Sequence, residues 1–201
     1  MNTNELINYF EKKYNKKTNE FNDIEWYEWI EISQFKYLTE EFIEKYQNKV
    51  SWYWISRCQK LSEEFIGKYE NKVSWSCISK YQILTERFIE KYKNKINWFC
   101  ISRFQKLSGE FIEKYEDKVN WLYISSYQNL SEEFIEKYKD KVYWGFISYC
   151  QKLSGEFINK YKNKIDLDFL SKENQINYLQ YKVKNNIISN SQYLKEILKL
   201  K

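Results

Sequence analysis

The chain has no histidine, no proline and no alanine, and only four glycines in 201 residues. Without His, the usual general base near neutral pH and the commonest metal ligand are missing. A Ser–His or Cys–His nucleophile pair cannot be built. Any catalysis would fall to carboxylates, Lys, Tyr or Cys alone. No Gly-rich phosphate loop is visible, nor any metal cluster or convergent acid–base pair. The expectation is therefore no enzyme, no cofactor, no metal site and no small-molecule substrate. The absence of Pro and Ala, beside abundant Lys, Asn, Ile, Tyr and Phe, points to AT-rich codons and an AT-rich genome. No stretch approaches 18 apolar residues, and no apolar run follows the basic residues near the N-terminus. Neither a membrane span nor a signal peptide is expected. The four Cys (Cys58, Cys77, Cys100, Cys150) form no C-x-x-C pair. That argues against a zinc ribbon and for reduced core thiols in a bacterial or host-cell cytosol.

What the chain does have is a 23-residue unit written six times, beginning at Leu38, Leu61, Leu84, Leu107, Leu130 and Leu153. Each copy is close to L-[ST]-x-x-F-I-x-K-Y-x-[ND]-K-[VI]-x-W-x-x-I-S-x-x-Q-x. Self-similarity at this period means stacked units rather than a closed globular core. Each copy carries two helix starts. In Leu61-Ser62-Glu63-Glu64-Phe65-Ile66, Ser62 caps the first turn and Leu61 staples to Ile66. Phe65, Ile66 and Tyr69 share a face, and Asn71 is placed to end the helix in the left-handed conformation. In Val73-Ser74-Trp75-Ser76-Cys77-Ile78, Ser74 caps and Val73 staples to Ile78. Trp75, Ile78 and Gln82 share a face. The spacing predicts an all-α solenoid of six helix pairs, each helix two to three turns long and too short to stand alone. One repeat domain is expected over 1–201. Residues 1–37 would form an N-terminal cap and half-repeat, 38–170 the six repeats and 171–201 a C-terminal cap. The half-repeat is Trp29 to Ser33, preceded by a helical segment around Leu6 to Tyr14. In the sixth copy Leu167 replaces Trp and Leu170 replaces Ile. The tail carries its own apolar pattern, including Ile176, Leu179, Ile187, Ile188, Leu194, Ile197 and Leu198.

Residues kept in every copy are read as stacking residues. The Trp ladder would make a base-stacking platform if its rings were free, but it stays in register with a buried-type Ile, which favours packing. The Gln ladder (Gln59, Gln82, Gln105, Gln128, Gln151) is placed to satisfy backbone groups at the junctions between copies. The varying positions are better candidates for recognition. On the second helix they give Tyr53-Arg57-Lys60, Ser76-Lys80-Ile83, Phe99-Arg103-Lys106, Leu122-Ser126-Asn129 and Gly145-Tyr149-Lys152. This mixture of aromatic and basic groups suits a protein hot spot or a nucleic-acid groove. The candidate partner-binding residues are Tyr53, Arg57, Lys60, Lys80, Phe99, Arg103, Lys106, Tyr149 and Lys152. A neighbouring pair trades large for small: Trp54 with Cys58, Cys77 with Tyr81, Cys100 with Phe104, Phe146 with Cys150. That exchange reads as interior packing. Two Lys ladders, typified by Lys68 and Lys72, read as i, i+4 support for a preceding Glu such as Glu64, or as a basic stripe for phosphates. The third copy stands apart, with six basic and two acidic residues. An anion or nucleic acid, the alternative partner, would meet Arg87, Lys91, Lys93 and Lys95 there.

The string Leu130-Ser131-Glu132-Glu133-Phe134-Ile135-Glu136-Lys137-Tyr138, followed by Lys141-Val142, Trp144, Ile147 and Ser148, resembles a short repeat of uncharacterised proteins from large DNA viruses, phages and AT-rich bacteria. The resemblance covers about Trp29 to Ser171 and carries no functional residues. It implies a viral or mobile-element setting. Small proteins of that kind act by binding and blocking host machinery, anti-CRISPR inhibitors among them. The expected partner is a host protein.

Overall fold

The computed structural model describes residues 2–17, 24–35 and 37–200; Met1, Lys36, Lys201 and residues 18–23 lie outside it, including part of the expected N-terminal cap. The described residues are all helix and turn, and they form a helical-repeat solenoid. Two compact units divide the chain, Met1–Gln105 and Lys106–Lys201.

The first unit opens with α1 (Thr3–Tyr14) and α2 (Trp26–Gln34). Three helix pairs follow: α3 (Glu40–Lys45) with α4 (Trp52–Cys58), α5 (Glu63–Lys68) with α6 (Trp75–Tyr81), and α7 (Glu86–Lys91) with α8 (Trp98–Phe104). The second unit has α9 (Gly109–Lys114) with α10 (Trp121–Tyr127), α11 (Glu132–Lys137) with α12 (Trp144–Cys150), and α13 (Gly155–Lys160). A 3-10 turn (Leu167–Phe169), α14 (Lys172–Lys184) and α15 (Asn190–Lys199) complete it. Within each unit the second helices pack side by side, α2 on α4, α4 on α6, α6 on α8, and α10 on α12. The repeat helices span only six or seven residues, about two turns, shorter than the periodicity suggested.

The first helix starts as the sequence predicts. Thr39, Ser62, Thr85, Ser108, Ser131 and Ser154 each accept a hydrogen bond from the backbone N–H three residues on. Its end differs from expectation. Asn71 and its equivalents do not enter the left-handed region. Tyr69 ends the helix at φ −109°, and its carbonyl takes the N–H groups of Lys72 at 2.8 Å and Val73 at 3.1 Å. The second helix also starts differently. Ser51 and Ser74 occupy the cap position without a side-chain cap bond, while Asn97 and Asn120 make one. The Ser74 N–H instead donates to the Ser56 hydroxyl of the preceding copy at 2.9 Å. The Ser56 hydroxyl in turn donates a hydrogen bond to the Trp52 carbonyl at 2.7 Å. Ser33, Ser79, Ser125 and Ser148 repeat this link, all four fully buried.

The Gln ladder does satisfy junctions, in a definite direction. Gln82 accepts from the Leu61 N–H at 3.0 Å and donates to the Ser56 and Gln59 carbonyls at 3.0 and 2.7 Å. Each Gln thus closes the junction that opens its own copy, not the one that follows it. Gln59, Gln105 and Gln151 do the same. Asn174, one period after Gln151 and fully buried, takes the role at the C-terminal end through Leu153 N–H and the Ser148 and Gln151 carbonyls. Three backbone groups that would otherwise be buried unpaired, at about 1–3 kcal/mol each, are satisfied by one side chain.

The Trp ladder is packing. The Trp52 ring lies 4.9 Å from Tyr69 and 6.2 Å from Phe65 of the next copy. Trp75, Trp121 and Trp144 repeat the arrangement. Such ring pairs add about 0.5–1.5 kcal/mol each beyond the area they bury. The Trp52 indole N–H is spent on the Gln47 carbonyl at 2.9 Å. Fully buried Ile55, Ile66, Ile78 and Ile89 fill the space between the two helix layers.

The ends cap unequally. Leu170 takes the buried Ile place, but the 3-10 turn leaves Leu167 exposed. Helix α14 packs on α13, and α15 packs on α14. Ile187, Leu194 and Leu198 remain exposed, so the tail's apolar pattern is only partly used to shield the core.

Candidate functional site

The partner-binding candidates all sit on second helices or two residues beyond their ends. In the first unit Tyr53, Arg57, Lys60, Lys80 and Phe99 are exposed and Arg103 is half-buried; Lys106, the first residue of the second unit, is exposed. The geometry joins several of them through aromatic rings. The Arg57 guanidinium donates to the Tyr53 hydroxyl at 3.2 Å. It also lies 5.4 Å from the Trp54 ring centre and 5.3 Å from that of Tyr81. Lys80 lies 4.9 Å from Tyr81 and 5.3 Å from Phe104. Arg103 lies 5.0 Å from Phe104. Cation and ring therefore alternate across α4, α6 and α8. Such contacts orient a long side chain without hiding its charge.

This surface corrects the interior reading of the large–small pair. Tyr81 and Phe104 are 41% and 42% exposed, and Cys58 and Cys150 are exposed too, leaving Cys77 and Cys100 as the buried thiols. The helical period explains it. Ile78, Gln82 and Trp75 define the inward arc, and Tyr81 stands roughly 100° from its centre. The exchange of volume serves stacking on the surface. All four thiols are free, and burial pushes those of Cys58, Cys100 and Cys150 up, away from the reactive thiolate.

The electrostatics of the two helix layers differ. Helices α4, α6 and α8 contain no Asp or Glu. Many acids of the first helices and turns are engaged with the next copy. Glu44 pairs with Lys68 at 2.5 Å and Glu70 with Lys95 at 3.3 Å. In the second unit Glu136 pairs with Lys160 at 2.5 Å, and Glu113 with Lys137. The expected i, i+4 support is replaced in the Lys ladders: Lys68 is paired across the repeat junction with Glu44 rather than with Glu64 one turn back. Lys72 lies over the Trp52 ring and Lys95 over Trp75, each about 5.9 Å away. Glu40 and Glu63 accept from the N–H groups of Ser62 and Thr85 at 2.6 Å.

The anion candidates are divided by the same register. Lys95 is engaged by Glu70. Lys91 lies 5.0 Å over Tyr92, and Gly67 stands where the ladder would otherwise supply its carboxylate. Arg87 and Lys93 are exposed. These residues lie on α7 and its turn, whereas Arg57, Lys80 and Arg103 lie on second helices, so the basic third copy does not form one cluster. In the second unit Tyr149 is exposed, and Lys152 is tied to Glu173 of α14 at 2.7 Å. Helices α10 and α12 carry no Lys or Arg. Among the described residues no group of three or more Cys, Asp or Glu is placed to hold a metal, and no helix is long and apolar enough to cross a membrane. No protein-family model, curated protein or solved structure matches the chain.

Proposed function

We propose that this chain is a non-enzymatic, protein-binding repeat scaffold that engages an acidic partner surface through the second helices of its first unit. The observation that carries the reading is the acid-free face on which Arg57, Lys80 and Arg103 are held against Trp54, Tyr81 and Phe104. Rigid rings with oriented cations are the composition of interface hot spots. The partner is a host-cell protein met in the cytosol. The sharper form is an inhibitor or adaptor of phage, viral or mobile-element type, directed at a host defence or nucleic-acid-processing enzyme such as a CRISPR effector. It rests on the resemblance of the repeat and on the AT-rich residue usage. The test passes nuclease-treated host lysate over the immobilised chain and over an R57E/K80E/R103E variant. A stoichiometric protein held by the first and lost by the second supports the reading; equal retention by both overturns it.

A second reading has its own support. Arg87 and Lys91 sit one turn apart on α7, and both are exposed. RNA or DNA bound there would lose affinity with salt, log K falling by about 0.7 per phosphate contact per decade for single strands. Absence of binding at low salt removes it.

A further inference from the structure

The second unit carries a hollow made by a missing side chain. Gly145 holds the register position of Tyr53, Ser76, Phe99 and Leu122, and a Cβ built on it meets nothing within 4 Å. Tyr143, Trp144, Phe146, Tyr149, Phe169 and Asp166 line an open, mainly apolar depression of about 590 Å³ around it. The 3-10 turn turns Phe169 outward to 65% exposure, where its counterpart one period earlier, Phe146, sits on a regular helix. Asp166 stands where the other copies carry Ser51, Ser74, Asn97, Asn120 and Tyr143, all uncharged. One of its carboxylate oxygens accepts from the Asp168 N–H at 3.2 Å. Lys164 lies over Trp144 at 5.5 Å. Among the described residues no cation lies over Tyr143, Phe146, Tyr149 or Phe169. On the first unit the corresponding helices bring their own cations to such rings. Here Tyr143, Phe146, Tyr149 and Phe169 have a counter-charge beside them and no cation of the chain's own over them.

We propose that this hollow receives an arginine side chain of a partner protein, the guanidinium lying flat on the rings with Asp166 as its counter-ion. A planar, weakly hydrated cation gains from ring faces and a carboxylate together. A neutral apolar ligand would have no use for Asp166. The opening is too shallow to enclose a compact ammonium on all sides. The site takes the opposite charge to the face proposed above and uses none of its residues.

The test is a titration of the full-length 15N-labelled chain with the blocked tripeptide acetyl-Gly-Arg-Gly-amide. Reporters are the Gly145 amide, one of four glycines, and the Trp144 indole N–H. The expected result is a saturable shift with a dissociation constant on the order of 1 mM. It weakens several-fold in Asp166→Asn, which keeps an oxygen for the Asp168 N–H. It vanishes in Gly145→Leu, which supplies the side chain that Leu122 already has and does not lower the melting temperature. Three results overturn the assignment: an equal shift with the uncharged citrulline tripeptide, tighter saturation by tetramethylammonium, or no saturable shift. Because Gly145→Leu leaves Arg57, Lys80 and Arg103 in place, its effect and the lysate-capture result are independent.

Discussion

At the scale of single residues, two glycines in the same register position have opposite roles. Gly109 and Gly155 both open a first helix where Glu40, Glu63 and Glu132 stand in other copies. Those acids clamp the cap of the following copy, as Glu132 does with Ser154 at 2.5 Å. A Cβ on Gly109 would sit 3.4 Å from the Phe134 ring, ordinary contact. Gly109→Glu should therefore add the clamp to Ser131 and raise stability by about 1 kcal/mol. A Cβ on Gly155 would fall 2.4 Å from the Asn177 carbonyl oxygen and from Tyr181 Cβ. Gly155→Ala must push α14 away and should lower stability by about 2 kcal/mol. Urea denaturation of the two variants checks both signs; a shared sign would refute the close-approach account. The repeat itself makes the contrast visible as a departure from consensus, but not its sign, because the neighbour of Gly155 belongs to a helix outside the repeat. Ser56 and Asn174 show a related limit. The invariant Ser stands in the motif and Asn174 lies one period after Gln151, yet a polar residue on a short helix gives no signal that it faces inward. The Tyr81–Cys77 exchange misled for the opposite reason, since stacking on a surface also constrains volume.

At the scale of elements, helices of about two turns are not stable by themselves, and their ends are held by the neighbouring copy. The Val73–Ser74 turn is held by Ser56, and the turn before Leu61 by Gln82. Gln82→Leu keeps most of the volume but leaves the Leu61 N–H and the Ser56 and Gln59 carbonyls buried without this partner. A loss of about 3 kcal/mol or more is expected. The change should appear as a lower urea midpoint, and a shift equivalent to less than about 1 kcal/mol would show that water replaces the amide. The order of the repeat helices and their first-helix caps were legible because capping and hydrophobic period are local. The C-terminal ends were not. Asn71 looked like a left-handed stop, whereas the Tyr69 carbonyl closes the turn with the ordinary bonds of two following N–H groups. Helix α15 likewise has an amphipathic pattern, yet Leu194 and Leu198 stay exposed, because a pattern states what can be buried and not what is there to bury it.

At the scale of the whole molecule, acids and bases are sorted by helix layer. The first helices carry junction-spanning ion pairs, and the second helices α4, α6, α8, α10 and α12 carry no acid. Lys160 donates to Glu136, which also takes a hydrogen bond from Tyr161. These partners hold the Glu136 carboxyl below its ordinary range, and Glu136 holds Lys160 above its own. A depressed carboxyl contributes stability above its unfolded pKa and loses it as pH falls through the folded value. A raised ammonium contributes below its unfolded pKa and loses it as pH rises through the folded value. The melting temperature should therefore be level across the neutral range and fall at both extremes. Added salt should lower the level part slightly, since these pairs are exposed and individually weak. A melting temperature that keeps rising into the lysine range would contradict the sign. The hydrogen-bonded junctions have a different consequence. Gln82, Gln105 and Gln151 each close the junction opening their own copy with the same three bonds. A slip of the replicating polymerase that gains or loses one whole 23-residue period would leave each remaining copy bonded as before. Length is then a trait that inheritance can vary in steps, and selection can act on reach and on the composition of the surface without reopening the question of whether the chain folds.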